Sequence, residues 1–233
     1  MTSPEGRLPA QVETLMLDMD GTVLDLAYDN ELWLRRVPEA YAATHGLHPD
    51  EARQRLYGWF REFRGTLEWY CLDHWSDRLQ FDVVALHREH RAQIRYLPGA
   101  RESLEALSAR SMRLLLVTNS HRSTLDLKHA MTGIGGYFDE IYTSHDLGHP
   151  KEDRKFWEAL RALEGFDART SLFVDDSVPV LRSASSYGIR HLRQIMQPDT
   201  GRPACEPKDF TGVVSLLELV PGREPAAGAR AAV

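Results

Sequence analysis

The stretch Leu15-Met16-Leu17-Asp18-Met19-Asp20-Gly21-Thr22-Val23 decides how the rest of the chain is read. Its apolar entry, Thr14–Leu17, does not alternate with polar residues, which predicts a strand covered on both faces. That run stops on two carboxylates separated by one residue, and Gly21 then lets the chain turn where a side chain would clash. The same grammar recurs downstream. Residues 113–117 run into Thr118-Asn119-Ser120, and residues 171–174 run into Asp175-Asp176. Residues 140–142 are followed by His149-Pro150-Lys151-Glu152, and 189–192 form a fifth short run. Helical periodicity fills 123–132, 152–163 and 178–187, so strands alternate with helices. That alternation predicts an α/β fold with a doubly wound parallel sheet.

One region breaks the alternation. Between residues 26 and 96 the pattern is helical throughout, with apolar sets such as Leu56, Trp59, Phe60 and Phe63. Four of the five tryptophans, Trp33, Trp59, Trp69 and Trp75, fall there, and His48-Pro49-Asp50-Glu51 reads as a helix start. The expected organisation is a core of residues 1–25 and 97–220, a helical insert over 26–96, and a disordered tail over 221–233. With 233 residues, 42% of them hydrophobic, the chain can bury one sizeable core and a smaller module.

Bulk properties narrow the function. A net charge of −6 offers no general basic field for a nucleic acid polymer. Cys71 and Cys205 are far apart and out of any metal-binding spacing, so two free thiols are expected. Residues 1–10 lack the charged and apolar regions of a signal peptide, and no apolar run approaches the roughly 20 residues that span a bilayer. A cytoplasmic protein without a membrane partner is the expectation.

In a parallel sheet, ligands bind beyond the carboxyl ends of the strands. The polar residues collected there, Asp18, Asp20, Thr118, Asn119, Lys151, Asp175 and Asp176, make the set that phosphoryl transfer needs. A carboxylate nucleophile, Asp18, is repelled by a phosphate dianion unless a cation stands between them. Mg²⁺ prefers oxygen ligands, and Asp18, Asp176 and the Asp20 carbonyl could supply them, with Asp175 as an outer partner. Lys151 and the Thr118 hydroxyl would orient the non-bridging oxygens. Asp20 is placed to exchange protons with the leaving group and with water. Taken singly, an Asp-Asp pair or a Thr-Asn pair after a strand also reads as a turn or helix cap.

Together these motifs resemble the haloacid dehalogenase (HAD) superfamily over about residues 13–220. The stretch 15–23 matches its first motif, Leu116-Val117-Thr118-Asn119 the second, Lys151 in Pro150-Lys151-Glu152-Asp153 the third, and Phe173-Val174-Asp175-Asp176-Ser177 the fourth. The resemblance implies a Rossmann-like core, an aspartyl-phosphate intermediate, and a cap formed by the insert. Asp20 argues against metal-free dehalogenase chemistry. Residues 26–96 contain no lysine, which removes phosphonatase chemistry with its Schiff base. A phosphatase or a phosphomutase remains, with a non-catalytic binding module as a third possibility.

Within the superfamily, Leu24-Asp25-Leu26-Ala27-Tyr28-Asp29-Asn30, Thr66-Leu67-Glu68-Trp69-Tyr70-Cys71-Leu72-Asp73 and Gly148-His149-Pro150-Lys151-Glu152-Asp153 are similar to bacterial nucleotidases acting on GMP and IMP. The substrate class so implied is a small phosphomonoester, a purine nucleotide, hydrolysed by a monomer or weak homodimer. Trp69 and Tyr70 are the rings best placed in sequence to meet a base; the other insert rings read as packing. Arg61 and Arg64 read as a solvated face. Among the histidines, His121 is the candidate for proximity to the phosphate, and His87 and His90 read as surface residues. His145 and His149 are kept from sharing a helix face by Gly148 and Pro150, and no zinc site is predicted.

Overall fold

The computed structural model describes residues 7–222; the expected tail therefore lies, beyond residue 222, outside the described residues. Strand β1 (Thr14–Leu17) is followed by the helical insert. There α1 (Ala27–Glu31) continues through a π-helical turn (Leu32–Arg36) into α2 (Val37–His45), and α3 (Pro49–Phe63), α4 (Leu67–Tyr70), α5 (Leu72–Leu79) and α6 (Val83–Glu89) follow. The α/β pattern resumes with α7 (Ala100–Ser108), β2 (Arg113–Thr118), α8 (Arg122–Thr132), β3 (Glu140–Thr143) and a single-turn α9 (Ser144–Leu147). It ends with α10 (Arg154–Glu164), β4 (Ser171–Asp175), α11 (Val178–Tyr187), β5 (His191–Ile195) and β6 (Thr211–Val213).

The six strands form one parallel sheet in the order β3-β2-β1-β4-β5-β6. This is the α/β, Rossmann-like arrangement expected. β1 is central, and its register sets Leu17 beside Leu116 on one side and Val174 on the other. Asp18, Thr118 and Asp175 therefore emerge at the same level, at the end of three adjacent strands. One apolar cluster lies on each face of the sheet's central strands: Leu15 and Leu17 pack with Leu104, Leu116 and Leu172, while Met16 packs with Leu115, Phe156, Trp157 and Phe173. Successive residues of β1 point to opposite faces, so a fully buried TLML run is what a doubly covered strand requires.

A third cluster belongs to the insert alone, with Val37, Tyr41, Leu56, Phe60, Trp75 and Leu79 at its centre. Two details differ from the sequence reading. β5 starts at His191 rather than Ile189, and β6 was not foreseen, because Thr-Gly-Val is too short to carry a pattern. His87 is 1% exposed rather than on the surface. It faces Tyr28, whose hydroxyl donates to the His87 carbonyl at 2.9 Å, and burial pushes its imidazole down to about 3. Among the described residues no helix is long and apolar enough to cross a membrane.

Candidate active site

Lys151 is the hinge of the site. It is 2% exposed, and its Nζ donates to Asp18 Oδ1, to Asp175 Oδ2 at 2.7 Å and to the Val117 carbonyl at 3.1 Å. Its backbone is fixed as firmly: Lys151 N–H donates to Asn119 Oδ1 at 2.9 Å, and its carbonyl accepts from Trp157 Nε1 at 3.0 Å. Asp175 uses both carboxylate oxygens, accepting from Lys151 and from Ser177 N–H at 2.7 Å. Thr118 Oγ1 accepts from Ser120 N–H at 3.0 Å, which leaves its own proton for a ligand.

Carboxylate oxygens of Asp18, Asp175 and Asp176 lie within 4.8 Å of one another. Two buried acids and a half-buried third beside one lysine are short of positive charge. Burial, before any other cause, pushes the Asp18 carboxyl up to about 8; Asp175 and Asp20 add repulsion and Lys151 opposes it. Burial and the neighbouring acids raise Asp176 as well. An all-oxygen cluster in this condition fits a hard divalent cation. Gly21 is part of the same packing. Its φ is 86°, and a Cβ there would stand 2.8 Å from Asp176 Cγ, so a side chain would displace that carboxylate.

Asp20 differs from expectation. It is not free, because Lys128 Nζ donates to Asp20 Oδ1 at 2.7 Å and to both Asp29 oxygens at 2.9 Å. Lys128 is 1% exposed, and its two acidic partners hold its ammonium charged despite burial. Sequence reasoning missed Lys128 and Asp29. The signal was present, since Lys128 is one of only four lysines among 28 basic residues, on a predicted helix otherwise without reason to keep one. Glu152 was missed too. It accepts from Asn119 Nδ2 at 3.0 Å and from the Tyr70 hydroxyl at 2.6 Å, so it links the insert to the second strand's end.

A cavity of about 1010 Å³ opens over these groups, at the upper end of the roughly 300–1,000 Å³ of small-molecule sites. Asp18, Asp20, Thr118, Asn119, Lys151, Asp175 and Asp176 line its floor together with Trp69 and Tyr70 from the insert. Every site residue expected from sequence thus borders one cavity. Arg61 and Arg64 also line it, while Trp75 is buried in the insert's core and touches it from behind. His145 lies on α9, which Gly148 ends, and His149 comes after it, so the two share no helix face.

Residues 12–188 match the family model of haloacid dehalogenase-like hydrolases. The chain belongs to this family. Within it, the chain is 38% identical over 190 residues to a GMP/IMP nucleotidase of Escherichia coli, covering 82% of this chain and 86% of that protein. It is 29% identical to a phosphoglycolate phosphatase of Pseudomonas fluorescens, over 96% of this chain and 83% of that one. Among solved structures, a HAD phosphatase from Thermococcus onnurineus superposes with a TM-score of 0.72 at 23% identity, covering 89% and 95% of the two chains. This HAD-like hydrolase is accordingly an enzyme of the phosphatase branch, with a site suited to a divalent metal.

Proposed function

We propose that the chain is a Mg²⁺-dependent phosphomonoester hydrolase that works through an aspartyl-phosphate on Asp18, with the purine nucleotides GMP and IMP as substrates. The observation that carries this is a single cavity joining Asp18, Lys151 and the acidic cluster to an aromatic wall on the insert. The identity to a GMP/IMP nucleotidase supports the substrate. In this reading residues 1–25 and 97–220 are the catalytic core, 26–96 is a cap that selects substrate, and the enzyme is a cytoplasmic monomer or weak homodimer.

Asp18 attacks phosphorus in line, so that its O–P bond forms as the ester P–O bond breaks. Lys151 and the Thr118 hydroxyl hold non-bridging oxygens, and Asn119 fixes the Lys151 backbone. Asp18, Asp176 and the Asp20 carbonyl would hold the Mg²⁺ with Asp175 in support, and the ion would offset the charge of the phosphate. Asp20, held in place by Lys128, is the group that takes a proton from the water attacking the phosphoenzyme. To protonate the leaving oxygen first, it must gain a proton, and Lys128 then remains satisfied by Asp29. Trp69 and Tyr70 are the base-facing side chains in this reading.

A panel of phosphomonoesters in Mg²⁺ tests it: IMP and GMP should release phosphate faster than AMP, pyrimidine nucleotides, sugar phosphates or phosphoglycolate. Phosphoglycolate as the best substrate would replace the nucleotide reading, and isomerised sugar phosphate would mark a mutase. Absence of release from every compound would refute the hydrolase. Asp18→Asn should abolish turnover with the fold intact, and turnover near wild type would reassign the nucleophile.

A further inference from the structure

Besides the acidic cluster, one other group of ligand-type side chains comes together among the described residues. Cys71 Sγ and one ring nitrogen each of His121 and His145 lie within 4.8 Å of one another. The three come from separate parts of the chain: Cys71 precedes α5 in the insert, His121 caps α8 beyond β2, and His145 lies on α9 beyond β3. Neither histidine belongs to the phosphate chemistry proposed above.

The hydrogen bonds leave this group with lone pairs to give. Ser144 Oγ donates its one proton to the Asn119 carbonyl at 3.0 Å, so it must accept from His145 Nδ1–H at 3.3 Å. That fixes the tautomer and puts the free lone pair on His145 Nε2, which is buried with no hydrogen-bond partner. A buried polar atom left so is costly, by roughly 1–3 kcal/mol, and calls for a reason. His121 Nδ1 takes only a long 3.4 Å bond from Ser123 N–H, and its Nε2 lies 3.8 Å from Asp73 Oδ2. If Nδ1 binds an ion, Nε2–H faces a carboxylate, the outer arrangement that commonly orients a metal-bound histidine. If Nε2 binds, Asp73 is within reach as a fourth ligand. Cys71 Sγ engages only His74 N–H, at 3.5 Å.

We infer that Cys71, His121 and His145 form a second metal site, for a thiolate- and imidazole-binding ion of the zinc class, which ties the insert to the sheet domain. One sulfur and two nitrogens suit Zn²⁺ or Co²⁺ and exclude Mg²⁺, whose ligands are oxygens. Two ligands are carried by the core and one by the insert, immediately after Tyr70, so a bound ion holds the insert down over the cavity and slows turnover. The site thus makes a phosphatase that runs on one metal sensitive to another.

Co²⁺ titrated into the full-length chain in excess Mg²⁺ reads the site without reference to phosphatase activity. A thiolate-to-cobalt absorption band should saturate at one ion per chain and be displaced by Zn²⁺. It should vanish in Cys71→Ser, in which serine can still cap α5, and survive in Cys205→Ser, which alters the other free thiol. His145→Gln keeps the thiol and should weaken Co²⁺ at least about 10-fold, as changes in outer partners alone cost 10- to 100-fold. No band, or a band lost with Cys205 instead, overturns the site. Phosphate release should fall in the wild type as Zn²⁺ fills the site and hold in Cys71→Ser; undiminished turnover at full occupancy overturns the tether.

Discussion

Two lysines are buried in this molecule, and each is shared between two aspartates, yet they stand in opposite situations. Lys128 lies between Asp20 and Asp29, with its ammonium over the Tyr28 ring. Lys151 lies between Asp18 and Asp175 with Asp176 close by, so the same single charge faces three acids in a cluster 4.8 Å across. The first arrangement carries one negative charge in excess of its lysine; the second carries two, the charge of one divalent cation. Burying a lysine is therefore not itself a sign of catalysis. What distinguishes a site is how much negative charge is left uncompensated, because that is what a divalent metal can bind to.

The comparison breaks most visibly if Lys151 is removed. Lys151→Met should lower kcat by about 10²–10³-fold, the usual loss when a donor to transition-state charge is deleted, and Mg²⁺ should still stabilise the variant in thermal melts. A mild kcat effect would move the phosphate clamp elsewhere. Lys128→Met should act first on the fold, costing about 3–5 kcal/mol as two acids lose a buried partner, with a smaller loss of kcat. Because the Asp20 and Asp29 carboxylates lie outside the acidic cluster, to which Asp20 would lend only its carbonyl, Mg²⁺ should not restore that stability; equal rescue of both variants would erase the distinction between the two lysines.

A subtler separation lies in pH. Asp18 titrates near 3.8 when unfolded and at about 8 in the metal-free native chain. Between those values the native state holds a proton that the unfolded chain has released, so stability falls as pH rises through the window. Mg²⁺ takes the proton's place, and its increment in Tm should grow from about pH 5 to about pH 8. A flat or shrinking increment would mean that the cluster is ionised without metal. The smallest effect is expected for Tyr70→Phe, which removes one hydrogen bond to Glu152 worth about 1.5–3 kcal/mol at most for a charged acceptor. It should raise KM several-fold for the preferred nucleotide and lower kcat a few-fold, as the turn that aims Lys151 loosens, and a kcat collapse would give Tyr70 a chemical role.

Much of this is legible in the sequence. The sheet could be read because a strand covered on both faces is an unbroken apolar run, and three such runs end directly on Asp18, Thr118 and Asp175. β6 could not be read, since its three residues are held by pairing with β5 rather than by a pattern of their own. In the site, residues announced by position after a strand were found. Those recruited across the chain were not: Lys128 reaches Asp20 over 108 residues and Asp29 over 99, and no spacing rule connects them. His87 was misread for the same reason, as its partner Tyr28 is 59 residues away. Local signals reveal which residues face the strand ends, and the folded chain reveals what restrains them.

Glu152 stands where the insert meets the core. It is the neighbour of Lys151 in sequence, and it joins Asn119, which fixes the Lys151 backbone, to Tyr70 on the insert. Lifting the insert removes one of Glu152's two partners and loosens the very turn that aims the lysine. On the proposed reading, readiness to react would thereby be coupled to whether the chamber is shut, as in a press that will not cycle with the guard raised. An open chamber would present a less well aimed lysine, so the full positive field on the phosphate would be assembled only once a substrate has been enclosed.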